Sequence, residues 1–178
     1  MSRLPILFAM ILLTACAGLA GRDHQGIEAA PSVDLPRFMG TWYVIANIPY
    51  FFEEDKVATR DEYRLRPDGK IDNDFVFKRR FGEEDRRWRG VSTLEPGSNG
   101  ARWRVQFVWP FSTGLVVVHV DDDYQGAALA TPDGKLAWVF GRQPTMDAGR
   151  YESLLARLAG QGVDVAMIRK VPQLPPGD

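Results

Sequence analysis

Turn signals recur along this chain at nearly even spacing and leave no room for a long helix across its middle. Pro67-Asp68-Gly69, Pro96 through Gly100, and Pro132-Asp133-Gly134 are strong turn clusters. Gly82 through Asp85, Pro110 through Gly114, and Asp121 through Asp123 add acidic or glycine-containing breaks. From Trp42 to Arg142 these breaks separate eight runs that are apolar-rich or alternating, each about eight to ten residues long. That rhythm predicts an all-β sandwich or barrel whose neighbouring strands are antiparallel hairpin partners.

Alternation predicts the inward face, because successive side chains on a strand point to opposite sides. Val57, Thr59, Asp61, Tyr63 and Leu65 form one such set, and Ile71, Asn73, Phe75, Phe77 and Arg79 a second. Trp103, Val105, Phe107 and Trp109 form a third. The interior so predicted mixes large aromatics with Asp61, Asn73 and Arg79. A dry sandwich core rarely holds such groups unpaired, whereas a barrel with a partly wet cavity accommodates them. One helix follows the strands. Tyr151, Leu154, Leu155 and Leu158 fall at i, i+3, i+4 and i+7, an apolar stripe read as a packing face. Thr145 is its predicted N-cap, Asp147 lies in its first turn, and Gly160 and Gly162 end it. A last short strand is predicted from Met167 to Val171, followed by a loose tail.

Composition suits a globular domain, and 22 basic against 23 acidic residues argue against a general nucleic-acid binder. At the N-terminus, an apolar run after Arg3 closes on Leu13-Thr14-Ala15-Cys16, the form of a secretory signal. It is too short to span a bilayer, which takes about 20 apolar residues. A cysteine immediately after the cut site resembles a bacterial lipobox, which implies a lipid on Cys16 and cleavage just before it. Cys16 is the single cysteine, so no disulfide forms within the chain. The expected organisation is a lipoprotein signal peptide at 1–15, a lipidated flexible tether at 16–33, one domain at 34–172, and a loose tail at 173–178.

Three ordered motifs carry a further resemblance. Gly40-Thr41-Trp42-Tyr43-Val44-Ile45-Ala46, preceded by Leu35-Pro36-Arg37-Phe38-Met39, resembles the first signature of the lipocalins and the short helical turn that plugs the barrel's closed end. Asp122-Asp123-Tyr124, followed by Ala127-Ala128-Leu129, is similar to the second signature. Trp138-Val139-Phe140-Gly141-Arg142-Gln143-Pro144 resembles the third, whose arginine packs on the signature tryptophan. The similarity covers about Asp34 to Pro172, and with the lipobox it is to bacterial outer-membrane lipoprotein lipocalins, relatives of apolipoprotein D. It implies an eight-stranded antiparallel up-and-down barrel with one C-terminal helix packed outside. It also implies structural roles for Gly40, Trp42, Asp123, Tyr124 and Arg142. Many relatives, as the resemblance implies, carry glutamate where Val44 stands.

Signals for catalysis are thin. His24 falls in the tether, and His119 sits among valines in an apolar strand. No cluster of His, Cys and carboxylates suggests a metal site, and Asp121-Asp122-Asp123 lacks the alternating ligands of a calcium loop. No cofactor is expected. Lys78-Arg79-Arg80 and Arg86-Arg87-Arg89 bracket Glu83-Glu84-Asp85 as a solvated, self-paired hairpin. The candidate ligand-binding residues are Val44, Ala46, Phe75, Phe77, Arg79, Trp88, Phe107, Trp109 and Trp138, with Tyr50-Phe51-Phe52 flanking the mouth. Aromatic walls with one arginine match an amphiphile with an anionic head, and each buried methylene contributes about 0.8 kcal/mol. Alternatively, Arg79 pairs with Asp61 or extends to solvent.

The function expected is that of a membrane-anchored lipocalin that binds, stores or transports an apolar ligand such as a fatty acid or lysophospholipid. Its partners would be that ligand and, through the anchor, the membrane, with no nucleic acid; a homodimer stays open. Ala17 after Cys16, by family analogy, favours the outer membrane, facing the periplasm. Two other readings stay open: an enzyme acting on an isoprenoid or lipid with Asp61 as its acid, and a structural lipoprotein whose barrel is filled by its own aromatics.

Overall fold

A computed structural model describes residues 26–51 and 53–174. The expected signal peptide, Cys16, His24, Phe52 and the end of the tail lie outside the described residues. After a short helix, α1 (Leu35–Phe38), eight antiparallel strands follow: β1 (Gly40–Asn47), β2 (Val57–Leu65), β3 (Ile71–Lys78), β4 (Arg86–Leu94), β5 (Arg102–Val108), β6 (Phe111–Val120), β7 (Gly126–Ala130) and β8 (Ala137–Gly141). Each pairs with the next, β8 pairs with β1, and β1 pairs again with β2, so the sheet closes on itself. Closure removes the edges an open sheet would expose. Helix α2 (Ala148–Gly160) packs outside, and β9 (Arg169–Lys170) pairs with the end of β1.

Two apolar layers result. Phe38, Trp42, Val44, Tyr63, Ile71, Trp103, Leu129 and Phe140 fill the inside. Ala128, Ala130, Ala137 and Val139 face outward beneath Leu154 and Leu158 of α2. Every residue of β7 is buried because one face meets the interior and the other meets the helix. Alanine on that outer face lets the helix approach closely.

Several expectations shift. The N-cap of α2 is Asp147, whose side chain accepts from the Arg150 N–H at 2.9 Å, rather than Thr145. The last strand is shorter than Met167 to Val171, because a single 3-10 turn occupies Val165–Met167. A bulge in β1 changes one expected lining residue. Val44 pairs with Phe140, but Ala46 pairs with Val139 and Asn47 with Trp138. The extra residue turns Ala46 into the outer layer and brings Asn47 inward. Ala46 therefore does not line the interior.

The tether is also shorter than 16–33. Residues 26–33 lie along the barrel: Ile27 N–H donates to the Pro132 carbonyl at 3.1 Å, Ala30 to Val117 at 2.8 Å, and Val33 to Asn99 at 2.9 Å. Ile27 and Val33 are buried. Two apolar residues with no periodic neighbours gave no strand or helix signal, yet each fills a gap on the barrel surface. At the other end, Gln173 is tied down where β1 and β2 diverge, its Nε2 donating to the carbonyls of Val44 at 2.7 Å and Thr59 at 3.0 Å.

Candidate functional site: the open half of the barrel

The two ends of the barrel differ in chemistry. At the closed end the Arg142 guanidinium lies 3.8 Å from the centre of the Trp42 ring. It donates to the carbonyls of Thr41 at 2.8 Å, Arg37 at 2.6 Å and Tyr124 at 3.3 Å. Burial lowers its pKa to about 10. Carbonyls and a ring face hold this cation, a cation–π contact worth about 0.5–2 kcal/mol. Trp42 in turn donates from Nε1 to the Phe38 carbonyl at 2.8 Å; Phe38 lies tilted against Trp42 and Tyr63, and Trp103 meets Phe38 and Tyr63 edge to face. Gly40 has φ +94 and passes within contact distance of Arg142. Tyr124, also at positive φ, accepts from Asp34 N–H through its hydroxyl at 2.8 Å. Asp123 pairs with Arg150 of α2 at 2.7 Å. These five signature residues form a plug.

At the open end, β3 and β4 carry a wall of rings. Phe75 and Phe77 stack at 5.4 Å, and Trp88 lies 5.0 Å from Phe77 and 5.9 Å from Phe75. Over this wall sits Lys56, its Nζ 5.1 Å from the centre of Phe77 and 5.4 Å from that of Trp88. Burial lowers the Lys56 pKa, Glu53 opposes that shift, and the nearby Arg79 charge adds to it. Lys56 therefore holds the place expected of Arg79. Strand β3 ends at Lys78, so alternation stops one residue short and Arg79 is exposed in the following turn. It neither faces inward nor pairs with Asp61.

Trp109 departs from the lining, and Phe107 sits at its edge. Strands β4 and β5 pair only where Val91–Leu94 meet Trp103–Gln106, and they separate toward the mouth. Phe107 covers the gap over Gly90, where an added Cβ would come within 2.8 Å of its ring. Trp109 is 83% exposed and Phe111 75%. They form part of an apolar rim with Val108 and Phe51. A surface depression of about 420 Å³ lies beside Phe107 and Trp109.

Deeper in, the wall turns polar. Glu53, from the loop after β1, dips inward: Oε1 accepts from Trp138 Nε1 at 3.1 Å, and Oε2 from Asn47 Nδ2 at 3.0 Å and Tyr50 N–H at 3.1 Å. Burial raises its pKa despite these donors. Trp138, Val44, Phe75 and Phe77 thus take inward places as the sequence predicts. Asp61 is buried between Trp42 on β1 and Phe75 on β3. Burial raises its pKa well above the ordinary aspartate value, and the Glu53 charge adds to that. Thr59, Asn73 and Ser92 are also buried, with Asn73 Nδ2 donating to Ser92 Oγ at 3.4 Å. Glu53, Lys56 and Asn47 went unmarked in the sequence. Two sit in a loop whose path no local rule sets, and the third turns inward only because of the bulge.

On the outer surface the charged hairpin pairs within itself at Lys78–Asp85 and Arg80–Glu83, and otherwise with neighbouring strands rather than with itself. Arg60 and Lys78 meet Asp85, and Arg87 meets Glu62 and Asp74. Among the described residues, no group of three His, Cys, Asp or Glu is placed to hold a metal ion. No described helix is long and apolar enough to cross a membrane.

A barrel of this kind, plugged at one end and aromatic at the other, belongs to the class of small-ligand-binding proteins. The lipocalin-like domain family model matches residues 33–173, so the chain is a member of the lipocalin family. It is 29% identical over 161 residues to temperature-induced lipocalin-1 of Arabidopsis thaliana, covering 85% of each chain. It is 26% identical over 172 residues to the outer membrane lipoprotein Blc of Vibrio cholerae, covering 94% of this chain and 96% of that one. With apolipoprotein D of Bos taurus it shares 27% over 150 residues, 79% of this chain and 78% of that one. The solved structure of apocrustacyanin C1 superposes with a TM-score of 0.66 at 12% identity, over 85% of this chain and 93% of that chain, which shows the fold. None of these names is an enzyme's, and lipocalins are generally binding and transport proteins.

Proposed function

We propose that this lipocalin is a lipid-anchored envelope protein that takes the chain of a fatty acid or lysophospholipid into the open half of its barrel. The observation that carries this reading is the inward wall of Phe75, Phe77 and Trp88, which runs into an exposed aromatic rim at the same end. The acyl chain lies against the wall. The anionic head stays at the mouth, where Lys56 and the exposed Arg79 supply positive charge.

Anchoring supports the same picture. Relatives carry the name outer membrane lipoprotein. Ile27 docks on the loop between β7 and β8, which is at the open end. Ten residues separate it from Cys16, a reach of about 40 Å at most. An acylated Cys16 would therefore tether the barrel by its open end.

The test uses the mature chain carrying Cys16→Ser, titrated with a fluorescent fatty acid and competed with dodecanoate. Saturable binding is expected, and Trp88→Ala should weaken it about fivefold to tenfold through lost wall area. Absence of saturable binding by the unaltered barrel would favour the filled, structural reading instead.

A further inference from the structure

We propose that Asp61, with Thr59 on one side and Asn73 on the other, is the site for the ammonium head of a lipophilic amine that enters the barrel head first. This rests on the reading that the barrel admits an amphiphile, and it adds a second ligand class with the opposite orientation.

At the centre is a buried carboxyl without a partner, between two polar side chains whose oxygens are also unpaired. Asp61 is 8% exposed and, among the described residues, has neither a hydrogen bond nor an ion pair. Thr59 and Asn73 are 3% and 2% exposed, and Thr59 Oγ1 and Asn73 Oδ1 have no hydrogen-bond partner. All three lie on the inward face of adjacent strands, β2 and β3. The donors nearby are committed elsewhere: Trp138 Nε1 and Asn47 Nδ2 to Glu53, and Asn73 Nδ2 to Ser92. Lys56 lies over the ring wall and Arg79 in solvent, so no described cation faces the three acceptors. Buried polar groups are normally paired, and an unpaired set is a reason to look for what completes it.

Ligand chemistry then sorts itself. A carboxylate head would add acceptors to acceptors. A hydroxyl supplies one donor. An ammonium supplies donors and a positive charge, which match the Asp61 carboxylate and one flanking oxygen at a time, since Asn73 lies opposite Tyr63, four residues from Thr59. The other titratable group facing Asp61 besides Glu53 is the Tyr63 hydroxyl on the same strand, whose pKa burial and both acids raise. Burial favours the protonated form of Asp61 when the site is free. On binding, the ammonium keeps its protons, any proton on the Asp61 carboxyl passes to buffer, and the carboxylate pairs with the ligand. A fatty acid, by contrast, enters tail first and leaves Asp61 without a charged partner.

The experiment compares dodecylamine, dodecanol and dodecanoate on the mature Cys16→Ser chain and on the same chain with Asp61→Asn, near pH 7. Calorimetry gives the affinities. Dodecylamine should bind about tenfold or more tighter than dodecanol. Asp61→Asn should weaken dodecylamine about tenfold and leave dodecanoate within about twofold. If dodecanoate binds but dodecylamine is no tighter than dodecanol, the amine site is overturned while the fatty-acid reading stands. If none of the three binds the unaltered barrel, both readings fall. Should Asp61→Asn not fold, the dodecylamine-to-dodecanol ratio on the unaltered barrel decides.

Discussion

The closed and open ends of this barrel are built from the same kinds of residue used in opposite ways. Both hold tryptophan, phenylalanine and a cation over a ring. At the closed end Trp42 and Trp103 are fully buried, the Trp42 and Trp103 N–H groups have carbonyl partners, and Arg142 spends its donors on three carbonyls. At the open end Trp88 is 38% exposed, Lys56 lies over its wall without an ion pair among the described residues, and Asp61 has no partner. A saturated, close-packed end resists change and fixes the fold. An end with unfilled acceptors and exposed rings has contacts left to make. The difference separates stability from binding along one axis of one small molecule.

Breaking the closed end should have the largest effect. Trp42→Ala removes the ring beneath Arg142 and leaves a cavity against Phe38 and Phe140. We expect a loss of about 3–5 kcal/mol, the range for a buried aromatic cut to alanine, measured by chemical denaturation. A loss below about 1 kcal/mol would show that the plug does not carry the fold.

The buried acid sharpens the comparison through pH. The ordinary aspartate pKa is 3.8, and burial raises that of Asp61 well above it in the folded chain. Below that ordinary value the carboxyl is protonated whether the chain is folded or not, and its contribution to stability is fully present. As pH rises, the unfolded chain releases the proton first, so stability falls until the folded carboxyl also ionises. The ligand-free domain should therefore lose stability across this window, and Asp61→Asn should flatten the decline. Near pH 7 the variant should be the more stable of the two, because its side chain cannot ionise. Thermal melts at a series of pH values check this, and a variant less stable than the parent would contradict the open-end account.

The smallest effect belongs to the rim. Trp109→Ser alters a side chain that is 83% exposed, so the denaturation midpoint should move by no more than about 0.5 kcal/mol. Binding of the intact protein to lipid vesicles, read by co-sedimentation, should weaken all the same. A large stability loss would mean that Trp109 packs on the barrel rather than standing free at its mouth.

Much of the architecture was legible in the sequence. The alternation of Thr59, Asp61 and Tyr63, and of Ile71, Asn73, Phe75 and Phe77, predicted the inward faces. The motifs around Trp42, Tyr124 and Arg142 implied the plug. What failed did so at strand ends. Parity carried past Lys78 put Arg79 inside, and parity carried past the Val44 bulge put Ala46 inside. Trp109 kept the right parity, but the strands had already separated beneath it. Ile27 and Val33 sat in a segment without periodicity, so their burial was not visible.

Periodicity is a local property, set by how the backbone alternates, so the chain alone determined the strands, their order, the helix stripe and the interior's unusual mix of rings and acids. Where strands end, where one bulges and how the loop after β1 folds back depend on contacts between residues far apart in sequence. Only the tertiary structure brought Glu53 onto Trp138, set Lys56 over Phe77 and left Asp61 facing the interior without a partner.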